Sequence, residues 1–156
     1  MSEIDLQRFI DAQHSSADRA LSEIEAGRKA SHWMWYVFPQ VKGLGLSPTA
    51  QRYAIVSVEE AKAFLEHPVL GPRYRRMVNA VWHQVVEGGV MLNALFGSPD
   101  DAKLVSSLTL FAGVASRHSE PDPDVVALIS QAEEILEAAN VQGLDRCTTT
   151  AQFLRV

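Results

Sequence analysis

The spacing of hydrophobic and polar residues predicts helices along most of the chain. Between Leu6 and Ile24 the residues of one face recur at steps of three and four, which is the period of an amphipathic helix. A capping-box-like pattern at residues 2–5 precedes this segment, and Gly27 follows it. Because such boxes start helices and glycine stops them, we predict a single first helix between these two signals.

Capping and breaking residues predict the helices that follow. Residues 57–60 form a second capping box, which starts a short helix that the His-Pro pair at 67–68 ends. The Gly-Pro pair at 71–72 starts a longer helix, with Pro in its first turn, that runs to the two glycines at 88–89. A short apolar turn is predicted at residues 91–96.

Similar signals divide the C-terminal part of the chain. Residues 98–101, Ser-Pro-Asp-Asp, predict a helix start, because Pro fits the first helical position and acids interact favourably with the helix dipole. We expect this helix to end near Gly113. The Asp-Pro pair at 122–123 starts another helix, and Gly143 lies just beyond its end. Residues 145–154, with three consecutive threonines, predict a less regular last helix.

Only two segments have any strand character. Residues 32–38 and 53–58 are apolar but do not alternate cleanly, and residues 41–48 between them have the composition of a loop. Two strands without a hairpin turn between them make a poor sheet. The pattern therefore predicts an all-α fold, a single compact domain of six or seven helices over residues 1–156.

Composition narrows the class of protein. The chain has 156 residues, of which 47% are hydrophobic and 21% charged, values typical of one globular domain. Its longest apolar run, residues 33–38, is far shorter than the roughly 20 residues that cross a bilayer, and its first residues do not resemble a secretory signal. A single cysteine, Cys147, cannot form an internal disulfide. We therefore expect a cytoplasmic protein with no membrane partner.

The net charge of −5 is unevenly distributed along the chain. Residues 115–156 contain 3 basic and 7 acidic residues, whereas the stretches 27–57 and 68–85 contain seven basic residues and no acid. Most aromatic residues lie between positions 33 and 82. Overall acidity disfavours long nucleic acids, but a basic, aromatic-rich centre is typical of a site for a small anionic ligand that carries a ring. The alternative is an aromatic core under an ordinary charged surface.

The segment at residues 32–40 holds the first candidate binding residues. Trp33 or Trp35 could stack on a planar ligand, while His32 and Gln40 supply hydrogen bonds. In the alternative, both indoles fill the helical core and their N–H groups donate to the protein. The following glycine-containing segment, which ends at Ser47, could bring backbone N–H groups close to a phosphate, although an ordinary loop has the same composition.

The helix predicted to begin near residue 98 holds a second group. Lys103, Ser106 and Thr109 are spaced by three and share one side of this helix, with Ser107 adjacent. Lys103 could neutralise an anion to which the hydroxyls donate. In the alternative, Lys103 faces solvent and the hydroxyls donate to preceding backbone carbonyls.

Arg73 and two acid–base candidates complete the set. Arg73 lies at a predicted helix start, where its guanidinium and exposed N–H groups could bind a phosphate or carboxylate together; a salt bridge to a local acid is the alternative. If the site is catalytic, His32 or Asp101 would be the general acid or base, and the sequence leaves open whether the protein is an enzyme. The histidines have no metal-binding spacing, so no metal or cofactor is predicted.

Four ordered motifs resemble those of a known family. They are HWMWYVFPQ at 32–40, GLGLS at 43–47, HPVLGPR at 67–73 and DAKLVSSLTLF at 101–111. Through these motifs the chain resembles the domain of unknown function 1810 family of bacteria, fungi and plants, whose fungal members sometimes carry the label calpastatin. The resemblance implies a compact helical fold and no established reaction. Protease-inhibitor repeats of the calpastatin kind are polar and disordered, unlike this core-forming composition.

These observations lead to one functional hypothesis and one alternative. The hypothesis is a helical domain that binds a small anionic ligand, nucleotide-like or sugar-phosphate-like, between the Trp33/Trp35 segment and the helix that carries residues 103–109. The alternative is a protein-interaction module that uses the central aromatic surface, because Trp, Tyr and Arg are also favoured at interfaces.

Overall fold

The computed structural model describes residues 4–118, 120 and 122–155, without the side chain of His118. Within these residues the chain forms ten α-helices and no strand, which confirms the all-α prediction and its single compact domain. The number of helices exceeds the predicted six or seven. In chain order they are α1 (Gln7–His14), α2 (Ala17–Glu25), α3 (Met34–Val37), α4 (Pro48–Arg52), α5 (Val58–Glu66), α6 (Leu70–Trp82), α7 (Leu92–Phe96), α8 (Asp100–His118), α9 (Pro123–Val141) and α10 (Thr148–Leu154).

The predicted first helix is two helices, because it breaks at Ser15 and Ser16. The hydroxyl of Ser16 forms a hydrogen bond with the hydroxyl of Tyr36 at 3.1 Å. After the break α1 packs on α3, whereas α2 packs on α6. The break thus lets one amphipathic stretch bury its apolar face against two different partners. Residues 2 and 3 of its predicted capping box lie outside the described residues. Gly27 follows the end of α2 as predicted, in a left-handed conformation (φ +85°).

Of the two segments with strand character, residues 32–38 form one short helix and residues 53–58 contribute one bridge residue, Ile55, instead of a strand. Residues 34–37 make a single helical turn, α3, whose flanking rings are buried. After α3, Val41 and Ile55 form an isolated parallel bridge. Ile55 N donates to Gln40 O at 2.8 Å, and Lys42 N donates to Ile55 O at 2.9 Å. This bridge closes the loop that α4 occupies. It therefore holds residues 40–55 beside α3.

The predicted start of α5 and the span of α6 are confirmed. The Ser57 hydroxyl accepts a hydrogen bond from Glu60 N at 3.0 Å, as in a capping box. His67 ends α5 and caps α6, since its Nδ1 accepts from the backbone N–H groups of Val69 and Leu70 at 3.1 and 3.3 Å. From Trp82 the helix continues as a π-helical segment, His83–Glu87, and the glycines at 88–89 follow it.

The prediction that the eighth helix ends near Gly113 is wrong, because α8 continues to His118. Gly113 lies inside α8, where the missing side chain admits α10: a Cβ atom at this position would lie 2.5 Å from Leu154 Cδ1. The glycine is therefore a packing residue and not a helix stop. Its helix contacts α3, α5, α7, α9 and α10. Such a central helix is buried on most sides, and Leu104, Leu108 and Phe111 are fully buried.

The central aromatic residues form one connected core. Phe64, Tyr74 and Phe111 have ring centroids 4.6 to 6.0 Å apart, and Phe38 links them to Trp33. Nearly all of these rings meet at tilted or edge-to-face angles, which aromatic pairs prefer.

None of the described helices combines the length and apolar character needed to cross a lipid bilayer.

Candidate functional site

A narrow cleft lies between α3, the residue 40–55 segment and the start of α8. Its walls include the following six side chains and backbone positions: Trp35, Phe38, Gln40, Gly45, Tyr53 and Lys103. These positions come from parts of the sequence that only the fold brings together. The cavity volume is about 10 Å³, which is room for about one water molecule. The cleft is therefore almost closed, and a ligand could reach its side chains only from the mouth.

Trp35 and Lys103 form the charged, aromatic part of the cleft. The Lys103 ammonium lies 5.6 Å from the centre of the half-buried Trp35 ring, within the range of a cation–π interaction. The Asp100 carboxylate forms salt bridges with two lysines: Oδ1 lies 3.5 Å from the Lys103 ammonium, and Oδ2 lies 2.9 Å from the Lys29 ammonium. Two cations therefore share the Asp100 carboxylate, so this carboxylate neutralises Lys103 only in part.

The glycine-containing segment contributes Gly45 to the wall of the cleft. Gly45 lies so close to α4 that a Cβ atom there would be 2.4 Å from Ala50 Cβ. Gly43 has a left-handed conformation with φ +99° and no neighbour within 4 Å of a Cβ position. Ser47 is exposed and serves as the N-cap of α4, since its hydroxyl accepts from Ala50 N at 3.1 Å. The structure thus places Ser47 at a helix cap outside the cleft.

Trp33 occupies the core, in contrast to Trp35. Its side chain is only 1% exposed, and its Nε1 donates to Glu23 Oε1 at 2.9 Å. The ring meets Phe96 edge-to-face. Trp33 is therefore not available to stack on a ligand. Its indole N–H donates a hydrogen bond within the protein, as in the alternative given above in which the indoles fill the core.

Glu23 organises the segment that leads to these tryptophans. Its carboxylate accepts from Ala30 N at 2.7 Å, from Ser31 N at 2.9 Å and from Ser31 Oγ at 2.6 Å, in addition to Trp33 Nε1. Burial by itself raises the pKa of Glu23, but these hydrogen bonds to the charged form outweigh it and lower the pKa to about 2.

We expect Glu23→Gln to destabilise the protein at neutral pH. The lowered pKa corresponds to at most about 3 kcal/mol, which solvent screening of this partly exposed group reduces to about 1–2 kcal/mol. Because the folded-state pKa lies below the ordinary value of 4.5, this contribution is complete above pH 4.5. It is lost as the pH falls from 4.5 towards 2.

Urea unfolding at several pH values measures this effect. The difference between wild type and Glu23→Gln should shrink below pH 4.5. The matched control is Glu25→Gln on the same helix, where the exposed side chain makes no hydrogen bond to the described residues. It should change the free energy of unfolding by less than about 0.5 kcal/mol at every pH. An equal loss in both variants would contradict the role given to Glu23.

The polar candidates of α8 lie in three different environments. Ser107 is fully buried and bonds the hydroxyl of Tyr74 at 2.9 Å, where burial raises the pKa of Tyr74 far above its ordinary range. Thr109 Oγ1 donates to the Val105 carbonyl at 2.7 Å, and the Ser106 hydroxyl donates to the Ala102 carbonyl at 3.2 Å. These hydroxyls donate to preceding carbonyls, as the structural alternative expected, and among these α8 residues only Lys103 lines the cleft.

Ser106 also faces Cys147, the N-cap residue of α10. Burial raises the pKa of this thiol, but the nearby hydroxyls of Thr150 and Ser106 and the backbone N–H groups at the start of α10 outweigh it, so the pKa lies below its ordinary value. Thr150 is fully buried, and its hydroxyl lies near this sulfur without another hydrogen-bond partner among the described residues. Ser106 thus lies near a thiol at the start of α10 and does not line the cleft that holds Trp35 and Lys103.

The remaining candidates lie away from the cleft. Asp101 is buried at the start of α8, with Oδ1 accepting from Ala102 N at 2.8 Å. His32 is exposed, and its carbonyl accepts from the Tyr36 hydroxyl at 3.3 Å. Arg73 Nη1 is buried and has no hydrogen-bond partner among the described residues. None of the three lines the cleft, so the structure does not bring an acid–base candidate to Trp35 and Lys103.

Sequence reasoning missed Tyr53, which lines the cleft, and the Lys29–Asp100 pair, whose carboxylate also contacts Lys103. Tyr53 and the Lys29–Asp100 pair are far apart in sequence, and no local pattern connects them. Each is a common residue type whose role depends on its neighbours in space. Within the described parts of the chain, no three His, Cys, Asp or Glu side chains come together as metal ligands would.

Comparisons with known proteins agree with the motifs. The profile of a family described as "Protein of unknown function (DUF1810)" matches residues 3–132. The chain is also similar to the conserved hypothetical protein Rv1873 from Mycobacterium tuberculosis, whose crystal structure matches with a TM-score of 0.78 and 42% sequence identity over 98% of each chain. No curated protein sequence matches the chain. Because the profile covers most of its length, the chain belongs to the DUF1810 family of proteins of unknown function.

Proposed function

We propose that the protein binds a small anionic ligand with a planar ring, such as a nucleotide, at the mouth of the Trp35–Lys103 cleft. The observation that carries this proposal is the convergence of Trp35 and Gln40, from the segment 32–40, with Lys103, from the start of α8, on one cleft. An indole can stack on a base, an ammonium can neutralise a phosphate, and an amide both donates and accepts hydrogen bonds.

The charges around the cleft favour an anion over a neutral ring. Asp100 is already shared between Lys29 and Lys103, so the Lys103 ammonium is only partly neutralised. A phosphate near Lys103 would gain a charge-assisted hydrogen bond. Stacking on Trp35 would add about 1–3 kcal/mol.

The small cavity volume requires the cleft to open when a ligand binds. Lys103 and Trp35 are both partly exposed, and the segment around Gly43 has no close packing at that position. Movement of these groups would widen the mouth without disturbing the buried Trp33. Binding would then be accompanied by a change in the environment of the Trp35 indole.

The alternative of an interaction module has less support. It requires an exposed aromatic surface, whereas the eight aromatic residues between positions 33 and 82 are all buried or partly buried. A partner that recognises exposed rings would find little of their area accessible.

Thermal unfolding with defined probes tests the proposal. We expect adenosine monophosphate to raise the unfolding midpoint in a saturable way, since a ligand at 100 times its Kd stabilises by about 2.7 kcal/mol. Adenosine should act more weakly because it lacks the phosphate. Trp35→Ala and Lys103→Gln should each abolish most of the shift.

Matched controls replace the same residue types elsewhere. Trp82→Phe, on α6, and Lys62→Gln, on α5, should leave the shift unchanged, because neither residue lines the cleft. The proposal is wrong if no nucleotide shifts the midpoint, or if the shift survives in both cleft variants.

A further inference from the structure

A second cleft, between α8, α9 and α10, collects arginines. Arg117 lies on α8, Arg146 precedes α10 and Arg155 follows it, and all three line a cavity of about 270 Å³. This cleft is distinct from the Trp35–Lys103 cleft, with which it shares no lining residue. It is also much larger, so it can admit a small molecule without first opening.

The charge pattern of the C-terminal region makes this convergence unexpected. Residues 115–156 contain 3 basic residues against 7 acidic ones, so each arginine could pair with an acid of its own. Instead all three arginines line one cleft, and Glu133 is the only acid among the lining residues that the structure describes. Gathering like charges costs electrostatic energy, which a bound anion would offset.

Contacts within the cleft leave guanidinium donors available. Arg117 Nη1 donates to the Leu154 carbonyl at 2.8 Å, which fixes this side chain over the end of α10. Arg146 binds both carboxylate oxygens of Glu133. Arg155 is exposed and forms no ion pair with the described residues. The Glu133 carboxylate therefore occupies Arg146 in the bidentate geometry that a phosphate could also adopt.

The hydroxyls of the cleft complement a different part of a ligand. Thr109 and Ser116 donate their protons to the carbonyls of Val105 and Gly113. Their oxygens retain lone pairs, which can accept hydrogen bonds from the hydroxyl groups of a sugar. The cleft thus offers guanidinium donors for a phosphate and hydroxyl acceptors for a polyol.

We propose that this cleft is a binding site for a small sugar phosphate. Three guanidinium groups and one carboxylate give the lining a net charge of about +2, which matches a phosphate monoester carrying close to two negative charges at neutral pH. The forked N–H groups of arginine suit its oxygens. The cavity volume suits a molecule of the size of a phosphorylated pentose.

Calorimetric titration of the full chain with ribose 5-phosphate at fixed ionic strength tests this proposal. We expect saturable binding, with ribose giving no signal. Arg155→Ala should weaken binding roughly tenfold and Arg155→Glu more, because a charge-assisted hydrogen bond is lost. Glu133→Gln should tighten binding several-fold, because it removes the competing carboxylate.

Two sets of controls separate this site from nonspecific charge effects and from the Trp35–Lys103 cleft. Arg19→Ala removes an exposed arginine on α2, outside the cleft, and should leave the affinity unchanged. Trp35→Ala and Lys103→Gln should also leave it unchanged. Circular dichroism and the unfolding midpoint should show that the exposed Arg155 variants are folded.

Three results would overturn the proposal. One is the absence of saturable binding beyond that of ribose. Another is equal weakening by Arg155→Ala and Arg19→Ala, which would indicate a general effect of net charge. The third is unchanged or weaker binding in Glu133→Gln, since a site for an anion must bind better when its own carboxylate is removed.

Discussion

Trp33→Ala is expected to lower the free energy of unfolding by about 3–5 kcal/mol, the range for removing a buried tryptophan. The indole is almost completely buried and touches Phe38 and Phe96. Its loss creates a cavity and also removes one of the hydrogen bonds of Glu23. Because a domain of this size is stable by only about 5–15 kcal/mol, this single change removes a large share of the total.

Trp35→Ala provides the matched comparison, two residues away. Trp35 is half-buried at the cleft, with Lys103 near its ring, so we expect a loss of about 1–1.5 kcal/mol. Urea unfolding of both variants measures the difference, and Trp33→Phe serves if Trp33→Ala does not fold. Equal losses at the two positions would contradict the assignment of Trp33 to the core and Trp35 to the site.

Gly71→Ala is expected to lower the free energy of unfolding by about 3 kcal/mol or more. A Cβ atom at this position would lie 2.1 Å from the Leu65 backbone oxygen. A backbone carbonyl at the end of α5 cannot rotate away, so the whole start of α6 would have to move. That movement would also break the hydrogen bonds that His67 makes to the first residues of α6.

Gly113→Ala is the control for this steric argument. A Cβ atom there would lie 2.5 Å from Leu154 Cδ1, which is the tip of a flexible side chain that can change rotamer. Replacing a helical glycine by alanine gains about 0.5–1 kcal/mol in backbone entropy. We therefore expect a change smaller than about 1 kcal/mol in either direction. Chemical denaturation of both variants checks the contrast, and a large loss for Gly113→Ala would show that α10 cannot adjust.

Helix starts and stops were predictable where a side chain adjacent in sequence determines them. Ser57 caps α5 and Asp122 caps α9, each by accepting from the backbone N–H three residues later. Such bonds depend on residue type and spacing alone. The break at Ser15 and Ser16 was not predictable in this way, because it depends on Tyr36 and on the separate partners of α1 and α2.

The sequence predicted which types of residue the candidate site contains, but not which individual residues lie there. The motif at residues 32–40 contains two tryptophans, and nothing in the local pattern distinguishes them. Glu23 and Phe96 hold Trp33 in the core, while Lys103 lies beside Trp35. These neighbours lie on α2, α7 and α8, so only the packing of the 32–40 segment against these helices decides which indole faces a cleft.

By itself the sequence determined an all-α domain, its main helix caps and a family, because these depend on local spacing and on ordered motifs. Tertiary structure alone decided which polar residues meet. It made Gly113 a contact for α10 and directed Ser107 to Tyr74. It also gathered Arg117, Arg146 and Arg155 in one cleft of an otherwise acidic region. The physical reason is that burial and electrostatic energies depend on distances in space between residues that are remote in the chain.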